Sequence, residues 1–127
     1  MDMYAENILD HYKNPRNFGR LNNPTGTYKD SNPLCGDEVE IQLQLSGDNI
    51  GNITFTGRGC AISQATTSML TEQLKGKDID YVKKLTQQDI ISMLGISIGP
   101  TRMKCALLGL RTLQKGLWGM NADDLTT

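Results

Sequence analysis

The chain has 127 residues, of which 38% are apolar and 21% charged, and its formal net charge is −1. That length suits a single domain, 1–127, with a core of its own, and the absence of a basic excess argues against a nucleic-acid partner, whose phosphates would need neutralising. No apolar run approaches the ~20 residues needed to cross a bilayer, and the start MDMYAENILDHY lacks the order of a secretory signal, so a cytoplasmic protein without a membrane partner is expected.

In chain order, Tyr4, Ile8, Leu9 and Tyr12 recur at helical spacing, Asp2 can cap that helix, and Asn14-Pro15 ends it. Residues 13–26 are rich in Asn, Gly and Pro and read as an ordered loop or a mobile arm, and 27–33 as a short edge segment. After Asp37, the residues Val39, Ile41, Leu43 and Leu45 alternate with Glu38, Glu40, Gln42 and Gln44, the pattern of a strand with one buried and one wet face. Ser46-Gly47-Asp48-Asn49 turns the chain into a return strand, Ile50 to Thr56, with Ile53 and Phe55 inward.

From Cys60 the pattern becomes helical. Ala61, Ala65, Ser68 and Met69 keep the first helix slim enough to lie close on the sheet, and Gly76 is its expected C-terminal cap. Asp78 and Thr86 are N-caps for short helices over Ile79–Leu85 and Gln87–Leu94. Pro100 opens a last helix reaching about Leu117, with Met103, Ala106, Leu107, Leu110 and Leu113 on one stripe. Strands early and helices late predict an α+β fold, a small antiparallel sheet with helices packed on one face.

The three cysteines, Cys35, Cys60 and Cys105, are 25 and 45 residues apart, so no CxxC knuckle exists and only tertiary structure can bring them together. An odd number in a cytosolic chain argues against structural disulfides, and three unrelated buried thiols are the plain alternative. Each cysteine falls at the end of an element, where sites are built, and none falls mid-element. Cys60 begins a helix, where the dipole suits an anionic sulfur, and Arg58 and Lys104 add positive charge nearby, although a solvated surface charge is the plainer reading of each. Asp37 lies two residues from Cys35, on the same side of an extended stretch, with Gly36 allowing a tight turn between them. Three thiolates and a carboxylate are enough for tetrahedral Zn²⁺ or for a [2Fe–2S] cluster held less tightly than by four thiolates. The lone histidine, His11, has no evident orienting partner for a Cys–His nucleophile, and the six methionines need only fill the core.

Four ordered motifs, DHYKNPRNFG (10–19), NPLCGDEVEIQL (32–43), GRGCAISQATTSMLTE (57–72) and GPTRMKCALLGL (99–110), run nearly end to end. With them the chain resembles the IscU/SufU/NifU N-terminal type of iron–sulfur cluster assembly protein. The resemblance implies a three-stranded antiparallel sheet covered by helices (SufE/NifU-like) and a site made of Cys35, Asp37, Cys60 and Cys105. It implies a PLP-dependent cysteine desulfurase as partner, from which persulfide sulfur is received, with the segment around Tyr12 and the residues beside the site as candidate contacts. Such a protein either assembles a transient [2Fe–2S] cluster for recipient apo iron–sulfur proteins or a carrier, or relays sulfur as a zinc-dependent sulfurtransferase. Cys105 is the implied sulfur acceptor in the IscU-like case and Cys35 in the SufU-like case.

The sequence departs from both subtypes. Lys104 stands where IscU-like proteins carry His before the third cysteine, and their LPPVK chaperone motif is reduced to Ile98-Gly99-Pro100-Thr101-Arg102. SufU-like proteins carry an insertion between the second and third cysteines for which 45 residues leave no room. A purely structural zinc adaptor is a third reading, and a monomer or weak homodimer is expected.

Overall fold

The alternating stretch after Asp37 becomes the middle strand of a three-stranded antiparallel sheet in a computed structural model that describes residues 3–33 and 36–119. Helix α1 (Met3–Lys13) comes first, then β1 (Gly26–Asn32), β2 (Asp37–Ser46) and β3 (Asn49–Arg58), in the order β1-β2-β3. Helices α2 (Ala61–Leu74), α3 (Ile79–Lys84), α4 (Gln87–Leu94) and α5 (Pro100–Trp118) complete the chain order. The expected cap at Asp2 lies outside the described residues. Among the described residues, no helix is long and apolar enough to cross a membrane.

The apolar face of the sheet, Val39, Ile41, Leu43, Ile53 and Phe55, is fully buried in one core with α2 and α5, as the α+β reading requires. A bulge between Gln44 and Leu45 shifts the register, which leaves Leu45 half-buried where strict alternation predicts full burial. Gln42, expected on the wet face, is buried. Its Oε1 accepts the Leu21 N–H at 2.6 Å because residues 14–25 fold over the outer face of the sheet. Arg20 pairs with Glu40 there at 2.6 Å. Before crossing, the same loop bridges the outer edge of β3. Phe55 N–H donates to Asn17 O at 3.0 Å, Gly19 N–H donates to Phe55 O at 2.9 Å, and the Phe18 ring meets the Phe55 ring edge-on. The Asn/Gly/Pro-rich segment is thus an ordered loop that occupies part of a sheet edge otherwise open to pairing.

Helix α2 is buried nearly all round, between α1, α5 and β3. Its small polar residues make this affordable, since the Thr66, Thr67 and Thr71 hydroxyls donate back to the carbonyls of Ile62, Ser63 and Ser68. The crossing with α5 is close enough that a Cβ on Gly109 would come within 2.8 Å of Thr67 Oγ1. Helix α2 ends at Leu74 with Lys75 as its cap, one residue before the expected Gly76, which follows at φ +87°. Asp78 and Thr86 cap α3 and α4 as expected, and Thr86 forms a reciprocal capping box with Asp89. On α1, packing against α2 buries Ile8 and His11, whereas Tyr4, Leu9 and Tyr12 stay about half exposed.

Candidate functional site

Asp37 is the first residue of β2, and the pairing of Glu38 with Arg58 sets it level with Gly59, just past the end of β3. Gly59 adopts φ +139°, and a Cβ there would lie 2.1 Å from Asp37 Oδ1 and 2.8 Å from its Cα. The missing side chain is the space in which the carboxylate sits. Asp37 is 0% exposed, and its Oδ1 accepts the Cys60 N–H at 2.7 Å. One carboxylate oxygen therefore ties the end of the sheet to the start of α2.

Cys60 is the N-cap of α2, with extended backbone angles. Its Sγ takes the position usually held by a hydroxyl or carboxylate oxygen and accepts the Ser63 N–H at 3.5 Å. Cys60 Sγ is also 3.7 Å from Asp37 Oδ2, the oxygen that the backbone contact leaves over. Cys105 enters from the second turn of α5 and is 2% exposed. One ligand atom each from Asp37, Cys60 and Cys105 lie within 4.8 Å of one another. Ligands around tetrahedral zinc, at bonds of about 2.3 Å, sit roughly 3.8 Å apart, so a contraction of about an ångström would let these donors share an ion. Cys35, the remaining member of the predicted set, lies outside the described residues. Its neighbour Gly36 takes φ +71°, the left-handed turn that only glycine adopts freely.

The flanking cations lie at the surface, and Arg58 is engaged with a carboxylate. Arg58 Nε donates to Glu38 Oε2 at 3.0 Å with its side chain 79% exposed, and Lys104 is exposed. Two residues bear on the site without having been singled out from the sequence. Gly59 makes room for the carboxylate, and a glycine immediately before a cysteine at a strand end was the available signal. Ser63 donates its backbone N–H to the Cys60 sulfur, a contact that leaves no trace in residue type.

His11 is absent from this constellation. Its Nδ1 lies 2.8 Å from Ser68 Oγ, which also accepts the Arg16 N–H, and its Nε2 lies 3.4 Å from Glu72 Oε1. Burial, aided by the Arg16 charge, holds the imidazole below its ordinary 6.5. The unfolded chain then binds the proton more readily, so stability is present above that ordinary value and is lost as pH falls through the lowered one. The melting temperature is expected to fall more steeply below about pH 6.5 in the native protein than in His11→Gln. Parallel pH profiles would remove His11 as the cause.

A comparison with family models matches residues 3–124 to the NifU-like N-terminal domain. The chain is 38% identical over 132 aligned residues to a zinc-dependent sulfurtransferase SufU of Bacillus subtilis (strain 168), covering 91% of this chain and 89% of that protein. It is 41% identical over 112 residues to an iron–sulfur cluster assembly scaffold protein IscU of Aquifex aeolicus (strain VF5), covering 87% and 71%. The first alignment is longer than this chain of 127 residues, so the Bacillus protein carries residues with no counterpart here. Among solved structures, a protein of Fervidobacterium islandicum AW-1 assigned as an iron–sulfur cluster assembly scaffold for the SUF system superimposes with a TM-score of 0.77. It is 31% identical, with 88% of this chain and 94% of that one covered.

Proposed function

This chain belongs to the NifU-like N-terminal domain family, and we propose that it serves iron–sulfur cluster assembly as a scaffold, receiving persulfide sulfur from a cysteine desulfurase and holding a transient [2Fe–2S] cluster for recipient proteins. The observation that carries this reading is the meeting of Asp37, Cys60 and Cys105 donors within 4.8 Å. Residues far apart in sequence supply them from the start of a strand and from two helices, and the carboxylate is fully buried. Cys35 is proposed as the fourth donor. The likeness to the Aquifex scaffold supports the same reading.

The chemistry asked of the thiols is exchange. A thiolate attacks the outer sulfur of the donor's persulfide, the S–S bond breaks, and the donor cysteine leaves as thiolate. Cys105 is the proposed acceptor for scaffold work. Because it is 2% exposed, its surroundings must open to admit the donor, whereas Cys60 is already half exposed to an approaching group. The carboxylate has a separate use. As a hard donor among soft thiolates it loosens the hold on the cluster, which suits a protein that gives its cluster away.

A second reading, a zinc-dependent sulfurtransferase with Cys35 released to accept sulfur, is favoured by the 38% identity to the Bacillus SufU and by Lys104, which stands where IscU-like proteins carry His. Bound zinc would there hold the thiolates in place. One experiment separates the two: anaerobic incubation with iron, cysteine and desulfurase, set beside incubation with zinc and no iron. The scaffold predicts a labile visible chromophore that passes to an apo recipient, and persistently colourless protein would sink it. The sulfurtransferase predicts faster desulfurase turnover with zinc alone and a lower melting temperature after chelation.

A further inference from the structure

The outer edge of β3 is only partly occupied. Backbone groups pointing away from β2 belong to alternate residues of the strand. Phe55 is one, because its N–H and C=O both meet the loop at Asn17 and Gly19. Ile53, two residues back, gives its N–H to Asn52 Oδ1 at 2.9 Å. Gly57, two residues on, faces the same way, but by then the loop has left the edge for the outer face, where Leu21 meets Gln42. Among the described residues, no backbone group of the loop meets Gly57. Its edge opens into a cleft of about 440 Å³ walled by Tyr12, Pro15 and Phe18, with Tyr12 43% and Phe18 52% exposed.

We propose that this uncovered edge and its cleft receive an extended segment of the sulfur-donating protein, which adds to β3 as a short extra strand; this rests on the sulfur-acceptor reading above. Main-chain pairing at Gly57 supplies affinity, and the aromatic wall supplies a pocket for one apolar side chain, the division of labour of strand addition. Among the described residues, Arg58 is the only charged one lining the cleft. Its pair with Glu38 is exposed and contributes ~0–1 kcal/mol, so a carboxylate on the incoming segment can replace Glu38 at little cost. The edge also runs toward the chemistry, since Gly59 lines the cleft and Cys60 follows it. At ~3.3 Å per residue, a persulfide-bearing cysteine about three residues along the added strand comes level with Cys60. The segment that fits is therefore extended, with an apolar anchor, an acidic neighbour and a reactive cysteine close by.

Gly57 cannot itself be substituted cleanly, because a Cβ there would meet Glu38 O at 2.5 Å. Its amide is instead read directly, by NMR-detected hydrogen exchange of the full chain with and without desulfurase. Exchange at Gly57 is expected to slow at least tenfold in the complex. Tyr12→Ala should raise the Kd for desulfurase about tenfold while zinc content and melting temperature stay native. A complex that forms and passes sulfur while Gly57 exchanges at its free rate, or Tyr12→Ala binding like the native chain, overturns the strand addition alone. Slowing that follows this protein's own concentration without desulfurase overturns it too, and gives the edge to a second copy. No sulfur accepted by the native chain from desulfurase sinks the functional reading beneath it.

Discussion

Asp37→Ala is expected to melt several degrees below the native protein, and Asp37→Asn close to it, while both slow cluster transfer to a recipient several-fold. The split follows from the two carboxylate oxygens having different tasks. Oδ1 of the fully buried Asp37 accepts the Cys60 N–H at 2.7 Å. Alanine orphans that donor, at a cost of about 1–3 kcal/mol, and removes a negative group from the N-terminus of α2, where it is favourable. Asparagine keeps an acceptor oxygen there. Oδ2 faces Cys60 Sγ at 3.7 Å, and both substitutions remove the anionic ligand. Thermal melts beside transfer rates from reconstituted protein decide the matter. Equal melting of the two variants would refute the anchoring role, and native transfer rates in both would refute the lability argument.

Gly59→Ala should be more damaging than any substitution of an exposed residue near the site. The new methyl would begin 2.1 Å from Asp37 Oδ1, on a residue held at φ +139°. Left-handed strain of this kind costs about 1–3 kcal/mol, and overpacking typically adds about 1–3 kcal/mol. For a chain of this size the sum predicts a melting temperature lower by roughly 10–20 °C. Because the methyl displaces the carboxylate of the proposed donor set, binding of added Zn²⁺ should be weaker than in the native chain even at temperatures where the variant is folded. A folded Gly59→Ala that binds zinc as the native protein does would show that Asp37 is not needed where the structure places it.

Much of this was written in local pattern. The alternation from Val39 to Leu43, the caps at Asp78 and Thr86 and the proline at position 100 each act within a few residues, so they can be read from the chain alone. The same holds for Cys60 at a helix start and Cys105 in an early helical turn. Where local reading failed, a distant segment intervened. Gln42 has the residue type and parity of a wet position, yet the 14–25 loop covers it. Tyr4, Leu9 and Tyr12 have the spacing of a buried stripe, yet α2 offers Ser68 and so draws in His11.

The thiols and the carboxylate began as four residues in three separate stretches of sequence, chemically suited to one another and related by motif. The sequence by itself determined the donor types, their placement at element ends and the α+β frame around them. Only the tertiary structure brought Asp37, Cys60 and Cys105 within 4.8 Å, because β2–β3 register and the α2–α5 crossing are long-range properties. It also decided what the motif could not say: that half of the Asp37 carboxylate is committed to holding the helix, that Cys60 caps α2 through its sulfur, and that Gly59 is bare because a carboxylate fills the place of its side chain.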